Sequence, residues 1–335
     1  MQIDILKMKK ELKLGSLTLK SPFFQSPLSG YSDYAMRKLA RRFGAPLTFA
    51  GVILAKSAAN PKVIGSGFFR PFDDEHPIGA QILGSEPNEM ADAAAALERL
   101  GYDIIDLNFA CPAPKVLRKG RGGALLNEPD TVMKIFHAVR DSVKCPVIMK
   151  LRTGFCDKQK SKDNFWKIAE QASGAGVDGL VIHGRSVIKR FSGKADRSIL
   201  AEAAQRLAGC KIIGSGDLFD AEEAAAFLEQ SGIDGLAIAR GAIGNPWIFR
   251  DIKTLLEGGE KPQPPDIKEQ QLVMLEHFED ILKLYPAKKA VGIFRKFALA
   301  YCNLHPLRKK VQKEIFAAQT PDEVKEKITS FYNLT

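Results

Sequence analysis

A chain of 335 residues can form one large α/β domain, or one such domain with a smaller companion, and either buries roughly three-quarters of its unfolded surface. Its five scattered cysteines (Cys111, Cys145, Cys156, Cys210, Cys302) include no C-x-x-C pair and no His/Cys cluster, which argues against a disulfide framework and a metal site and fits a reducing, cytoplasmic setting. The net charge of +10 points to a polyanionic partner; no window is apolar enough to span a bilayer, and the opening segment, with Lys7, Lys9, Lys10, Glu11, Lys13 and Lys20, lacks a signal peptide's apolar core.

In chain order, Phe23 to Leu28 reads as a strand, with Ser26-Pro27-Leu28 at its passage into a loop. Ser29 to Ser32 then turns into a helix over 33–43 with Ser32 as its N-cap. Leu47 to Val52 and Ile78 to Leu83 give two more strands, and an alanine-rich helix over 88–100 leads to the run Asp103-Ile-Ile-Asp-Leu-Asn-Phe-Ala-Cys111. There a buried strand stops at Asn108. Pro112 biases Cys111 toward an extended conformation and blocks further ladder pairing, so the thiol sits just past a strand's C-terminal end.

The phrase Gly101-Tyr-Asp-Ile-Ile-Asp-Leu-Asn108 recurs as Gly176-Val-Asp-Gly-Leu-Val-Ile-His183 and Gly232-Ile-Asp-Gly-Leu-Ala-Ile-Ala239. Each is a glycine helix stop, a short turn and a mostly apolar strand, as a βαβ unit requires. With Pro146 to Leu151 and Lys211 to Ser215, eight strands begin near 23, 47, 78, 103, 146, 179, 211 and 235. Eight βα units in this span predict a TIM (β/α)8 barrel, with a doubly wound open sheet as the alternative. In a barrel the chemistry belongs at the C-terminal strand ends. Those ends carry Ser26 with Pro27, Gln81, Asn108 with Cys111, Lys150 with Arg152, His183 with Arg185, Ser215-Gly216-Asp217, and Ala239-Arg240-Gly241. The last two groups suit a bound phosphate.

Beyond Trp247 the pattern changes. The organisation expected is a catalytic barrel over 1–256, a Gly/Pro-rich linker over 257–267, and a smaller all-helical domain over 268–335. Between Lys283 and Lys313 there are nine positive residues and no acid, interleaved with Tyr285, Phe294, Phe297, Tyr301 and His305. Lys288, Lys289, Arg295, Lys296, Arg308, Lys309 and Lys310 are the candidate RNA contacts in that stretch; a solvated helix face and core aromatics are the plainer reading of the same residues.

Taken together, several segments resemble the tRNA-dihydrouridine synthases: Ser26-Pro-Leu-Ser-Gly-Tyr-Ser-Asp33, Gln81-Ile-Leu-Gly-Ser85, Asn108-Phe-Ala-Cys-Pro112, Lys150-Leu-Arg-Thr-Gly154, His183-Gly-Arg185, Gly216-Asp217 and Arg240-Gly-Ala-Ile-Gly-Asn-Pro-Trp247. No one of these is specific; their order over nearly the whole chain is. The resemblance implies FMN held by Ser26, Pro27, Leu28, Gln81, Lys150, His183, Ser215, Gly216, Asp217, Ala239 and Arg240, with Asn108 and Arg152 against a uracil and tRNA on the C-terminal helices. NADPH or NADH would re-reduce the flavin. Hydride delivery to C6 leaves enolate charge that a proton at C5 must quench, and Cys111 is the candidate acid, since an ordinary thiol is mostly protonated at neutral pH. Phe109-Ala110, Ser215, Ala239 and Gly51 depart from the family pattern, as does Phe297 in place of a histidine, and these bear on the choice of uridine more than on the chemistry. No obligate protein partner is indicated.

Two other classes fit the same residues: an FMN barrel acting on a free pyrimidine or other small molecule, and an RNA-binding relative without catalysis. Taken alone, Cys111 reads first as an inert buried thiol and His183 as a structural histidine, and Asn108 reads equally well as a strand terminator.

Overall fold

A computed structural model of the chain describes residues 11–67 and 69–332; Lys7, Lys9 and Lys10 of the charged opening lie outside it. The hairpin β1 (Leu12–Leu14) and β2 (Leu17–Leu19) comes first. Nine further strands make one parallel sheet: β3 (Phe23–Gln25), β4 (Thr48–Phe49), β5 (Ile53–Leu54), β6 (Ile78–Leu83), β7 (Ile104–Asn108), β8 (Val147–Arg152), β9 (Gly179–His183), β10 (Ile212–Ser215) and β11 (Gly235–Ile238). The sheet runs β3-β11-β10-β9-β8-β7-β6-β4, and the Gln25 N–H donates to the Leu47 carbonyl at 3.1 Å, joining its two ends into a barrel. The strand expected over 47–52 is divided. β4 and β5 each pair with β6, and the break between them puts Val52 at the barrel mouth.

Register decides what each strand contributes. In a closed barrel alternate residues point inward. Here the pairings align Phe24 with Ala237, Ile213 with Val181, and Phe49 with Gly79, so these residues share the inner face. Phe24, Leu47, Phe49, Ile104, Ile148, Val181, Ile213 and Ala237 form one apolar cluster with Leu12, Leu14 and Leu19 of the hairpin. The hairpin packs at the N-terminal ends of the strands: a Cβ on Gly235 would meet the Leu12 side chain at 2.9 Å and one on Gly179 would meet Leu14 at 3.0 Å. The barrel is therefore plugged below by leucines. Two residues further along β6 to β10 the same inward face becomes polar, at Gln81, Asp106, Lys150, His183 and Ser215.

The outward faces of the strands, including Ile105, Leu107, Met149, Ile182 and Leu236, pack beneath helices such as Pro87–Arg99, Pro129–Ser142 and Gln159–Gly174. The first barrel helix, Tyr34–Arg42, is capped by Asp33, whose carboxylate accepts the Met36 N–H, and not by Ser32. Ser32 instead accepts the Leu28 N–H at 2.8 Å and so fixes the loop after β3. A hydroxyl placed to close that turn is no longer free to cap the helix.

Helices Ile267–Leu284, Ala287–Tyr301, Arg308–Ala317 and Pro321–Tyr332 follow a non-helical stretch that begins after Leu256. They sit firmly on the barrel. Lys38 pairs with Asp280 at 2.6 Å, Arg42 with Glu276, and the Trp247 indole N–H donates to Glu269 at 2.6 Å. Gly244, in the left-handed region at φ +59, lets the chain approach the helix Ala287–Tyr301 so closely that a Cβ would stand 2.7 Å from both the Phe297 carbonyl oxygen and the Tyr301 nitrogen. Gly244→Ala is expected to destabilise the protein by at least roughly 2 kcal/mol through overpacking, read from urea unfolding. Wild-type stability in that variant would show that the contact can relax.

Candidate active site

The polar half of the barrel lumen opens into one cleft of about 850 Å³ of empty space, its mouth included. Of the barrel residues singled out from the sequence, Pro27, Leu28, Gln81, Asn108, Cys111, Lys150, Arg152, His183, Ser215, Gly216, Asp217, Ala239 and Arg240 all line it. Ser26 lies just beneath, fully buried.

Three side chains form a chain of hydrogen bonds across the floor. Gln81 donates through Nε2 to Asp106 at 2.6 Å, and Asn108 donates through Nδ2 to the Gln81 Oε1 at 2.7 Å. The Asn108 Oδ1 accepts the backbone N–H groups of Ala110 and Cys111 at 3.1 and 3.0 Å. Asn108 is thus both the end of β7 and the brace of the cysteine loop. Two further contacts hold that loop: Arg152 Nε donates to the Ala110 carbonyl at 3.0 Å, and the Gly123 N–H donates to the Cys111 carbonyl at 3.1 Å. Gly122, at φ +58, passes so near that a Cβ there would lie 2.9 Å from the Cys111 Cβ.

Arg152 is buried and donates through Nη1 to the carbonyls of Ser186 and Arg190, which leaves its Nη2 for the cleft. Asp106 is buried at mid-strand, and burial pushes its carboxyl up to about 6 against the pull of Lys150 and Gln81. Burial likewise brings the Lys150 ammonium down to about 8, with Asp106 opposing; its Nζ lies 3.3 Å from the Ser215 hydroxyl. Four cations act on His183. Burial and the charges of Arg152, Lys150, Arg185 and Arg240 press its imidazole down to about 2, so it is neutral at any physiological pH.

At the far side, Asp217, at φ +50, receives a two-pronged ion pair from Arg185 at 3.0 and 2.6 Å, the Ala195 N–H at 2.9 Å, and Arg240 at 3.3 Å. Burial alone would raise its carboxyl, but these donors together hold it below the ordinary range. The Arg240 guanidinium lies over the exposed rings of Phe191 and Phe219, at 4.1 and 5.1 Å. Four cations against two carboxylates leave the cleft net positive, which suits an anionic ligand.

Whether a flavin phosphate and ring fit these residues can be judged from their loose ends. The hydroxyl of Ser26 and the Nδ1 of His183 are buried without a hydrogen-bond partner among the described residues, and buried polar atoms rarely stay so. Gly216, at φ +112, faces the His183 ring, where a Cβ would come within 3.2 Å of Nε2. A Cβ on Gly241 would strike the Leu218 carbonyl at 2.0 Å. Glycine at each of these strand ends thus lets the surrounding chain close in, and Arg240, beside Gly241, reaches Asp217, beside Gly216. The residues fit.

The reading from sequence missed Phe191 and Phe219 in the cleft lining and Asp106, which holds the lining residue Gln81. Asp106 carried a signal: two residues before Asn108 on an otherwise apolar strand, it shares Asn108's face. Phe191 and Phe219 lie in loops, where no periodicity marks them.

None of the candidate RNA contacts lines the cleft. Lys288 and Lys289 open the helix Ala287–Tyr301, Arg308, Lys309 and Lys310 open Arg308–Ala317, and all are exposed. Lys296 is exposed beside the Gly30 carbonyl and over the Tyr31 ring, next to the cleft-lining Leu28 and Ser29. Arg295 is half-buried and donates to the Ala318 carbonyl. Phe294, Phe297, Tyr301 and His305 are buried in the helical core, while Tyr285 is half-buried under Lys289. Among the described residues no helix is long and apolar enough to cross a membrane, and no His, Cys, Asp and Glu cluster could hold a metal.

The profile of the family described as "Dihydrouridine synthase (Dus)" matches residues 24–334. The chain is 35% identical over 324 residues to a "Probable tRNA-dihydrouridine synthase" of Rickettsia conorii, an alignment that covers 96% of each. It is 35% identical over 329 residues to "tRNA-dihydrouridine synthase B" of Pasteurella multocida, again 96% of each, and 33% identical over 325 residues to the protein of that name in Escherichia coli K12, covering 96% of this chain and 99% of that one. Among solved structures, a histamine dehydrogenase from Rhizobium sp. 4-9 superposes with a TM-score of 0.56 at 16% identity, over 81% of this chain. This chain spans about half the length of that protein, and the likeness is one of fold.

The neutral state of His183 gives a direct check. With labelled histidine, its ring resonances are expected to stay constant between about pH 5 and 8, the range in which an ordinary imidazole titrates. A midpoint near the ordinary value would contradict the cationic ring drawn around it.

Proposed function

The chain belongs to the dihydrouridine synthase family, and on that premise we propose that it reduces the C5–C6 bond of uridines in tRNA, with FMN as cofactor and NADPH or NADH as the source of electrons. The observation that carries this reading is a single cleft that presents a thiol on a braced loop, a free guanidinium face and a cationic floor with unpartnered polar atoms. Ser26, Pro27, Leu28, Gln81, Lys150, His183 and Ser215 would hold the flavin ring and ribityl chain. Gly216, Asp217, Ala239 and Arg240 would hold its phosphate, through bare backbone N–H groups and the guanidinium. When bound, the flavin supplies a hydride to C6 of the uracil.

The protein's own residues do the rest. Cys111 delivers a proton to C5 from the face opposite the hydride, and its loop is fixed in advance by Asn108, Arg152 and Gly123, so little is reorganised at the moment of transfer. Arg152 turns Nη2 toward the uracil carbonyl and stabilises charge that develops there. Asn108 has most of its hydrogen-bonding capacity engaged within the protein; one Nδ2 hydrogen remains for the base. Neutral His183 can donate or accept without adding charge to the floor.

A stacked uridine must be turned out before it can reach this cleft, at a cost of a few kcal/mol that RNA contacts elsewhere must offset. Residues 268–335 are the proposed RNA-holding unit, through Lys288, Lys289, Lys296, Arg308, Lys309 and Lys310, with Arg295 contributing through the structure it holds in place. Five of these cations occupy the first turns of two helices that have no acid there, the end where the helix dipole disfavours positive charge. That is a poor arrangement for stability and a good one for phosphate.

Two measurements follow. Incubating the purified protein with NADPH and unmodified tRNA is expected to yield dihydrouridine by mass spectrometry, and Cys111→Ala to lower the rate about a hundredfold to ten-thousandfold at unchanged flavin content. Wild-type protein that reduces free pyrimidines and leaves tRNA untouched would refute the assignment. Changing Lys309 and Lys310 to Gln is expected to leave thermal stability equal or higher while reducing the slope of log K against log salt for tRNA by about one per lysine. An unchanged salt slope would remove these residues from the interface.

A further inference from the structure

We propose that Asp106 is a positioning residue: its carboxylate sets the direction of the hydrogen-bond chain Asp106–Gln81–Asn108 and thereby holds the Cys111 loop in register. The inference rests on the reading of Cys111 as the proton donor, and gives that residue a supporting device two strands wide.

An ionised carboxylate only accepts, whereas the amides of Gln81 and Asn108 can each be turned through a half-rotation to present oxygen or nitrogen. Because Asp106 accepts at 2.6 Å, Gln81 must offer its nitrogen there and its oxygen to Asn108. Asn108 must then offer nitrogen to Gln81, which leaves its oxygen for the N–H groups of Ala110 and Cys111. Every orientation follows from the first. If Asp106 gains a proton it can donate, Gln81 is free to turn, and a turned Asn108 would put its own N–H groups against those of Ala110 and Cys111. The loop would have to release.

A carboxylate is otherwise costly at this position. Asp106 is buried between its register partners Gln81 on β6 and Ile148 on β8, with Lys150 one inward position further along β8, and its Oδ1 has no hydrogen-bond partner among the described residues. A well-packed apolar side chain would suit the lumen better, as Ile104 does one inward position below on the same strand. Burial also raises the Asp106 carboxyl toward the range in which enzymes work, while Lys150 and Gln81 restrain the rise. Lys150, from β8, is the charged group that acts on it, and Gln81, from β6, is its hydrogen-bond donor.

The test uses the full-length holoprotein, with Asp106→Leu and Asp106→Asn beside wild type. Amide hydrogen exchange of Ala110 and Cys111 needs no RNA, so its outcome is independent of the proposed reaction. In Asp106→Leu those two amides are expected to exchange at least tenfold faster, while the β7 ladder amides of residues 105–107 keep their protection; general loosening would speed both. Asp106→Asn preserves shape but permits either sense, so it gives a smaller increase and remains informative if the leucine variant does not fold. For wild type, the single-turnover rate on tRNA is expected to fall as pH drops through about 6, with tRNA affinity unchanged, and Asp106→Asn to lack that limb. Exchange at Ala110 and Cys111 that matches wild type in every variant that folds, or an acid limb retained in Asp106→Asn, would overturn the proposal.

Discussion

A closed parallel barrel allows little choice about where an inward side chain goes. Each strand turns every second residue into a narrow, mostly dry lumen, and whatever stands there must be apolar, or be paired, or face something bound. The lower half of this lumen takes the first option with Phe24, Phe49, Ile104, Ile148, Val181 and Ile213. One inward position further, Gln81, Asp106, Lys150, His183 and Ser215 take the other two. Asp106, Gln81 and Asn108 bond to one another, Arg185 and Asp217 do the same, and Ser26, His183 and the Asp106 Oδ1 keep atoms without a partner among the described residues. The site is the point at which the strands change from filling space to presenting groups.

The same constraint explains why the cysteine loop is braced so heavily. Cys111 stands outside the ladder, because Pro112 cannot extend it, so the strand's own hydrogen bonds do not fix the thiol. Asn108, Arg152 and Gly123 supply what the ladder does not, and each approaches from a different segment. The C-terminal helices are tied down in a similar spirit, through Gly244, Trp247 and the pairs from Lys38 and Arg42. Such a seat keeps Lys296 beside the loop that lines the cleft, so the proposed RNA contacts and the proposed reacting groups keep a fixed spacing.

Much of this was legible in the sequence because parallel barrel strands are short apolar runs that stop at a polar residue. All eight strand starts and most of the polar residues that line the cleft follow from those stops. The N-terminal hairpin escaped because Leu12, Leu14, Leu17 and Leu19 are interleaved with charge and resemble a solvated opening; only the lumen they plug makes them a unit. Ser32 was assigned the helix cap because nothing in the sequence shows that its hydroxyl is already bonded to Leu28. Asn108 was assigned to the base, whereas its partners across β6 and ahead in the loop emerge only once register is known. Side-chain direction within a network belongs to tertiary structure, and single-residue identity does not encode it.

The most direct test follows the cofactor and not the product. The purified protein, reduced with one equivalent of NADPH without oxygen, should lose its visible flavin band and recover it on mixing with tRNA that lacks dihydrouridine. Fully modified tRNA should leave the band bleached. Recovery with unmodified tRNA alone is the result expected of a flavin that hands its hydride to uridine in RNA. A protein with no flavin band, or a band that recovers equally with both RNAs or with a free pyrimidine, would contradict the account.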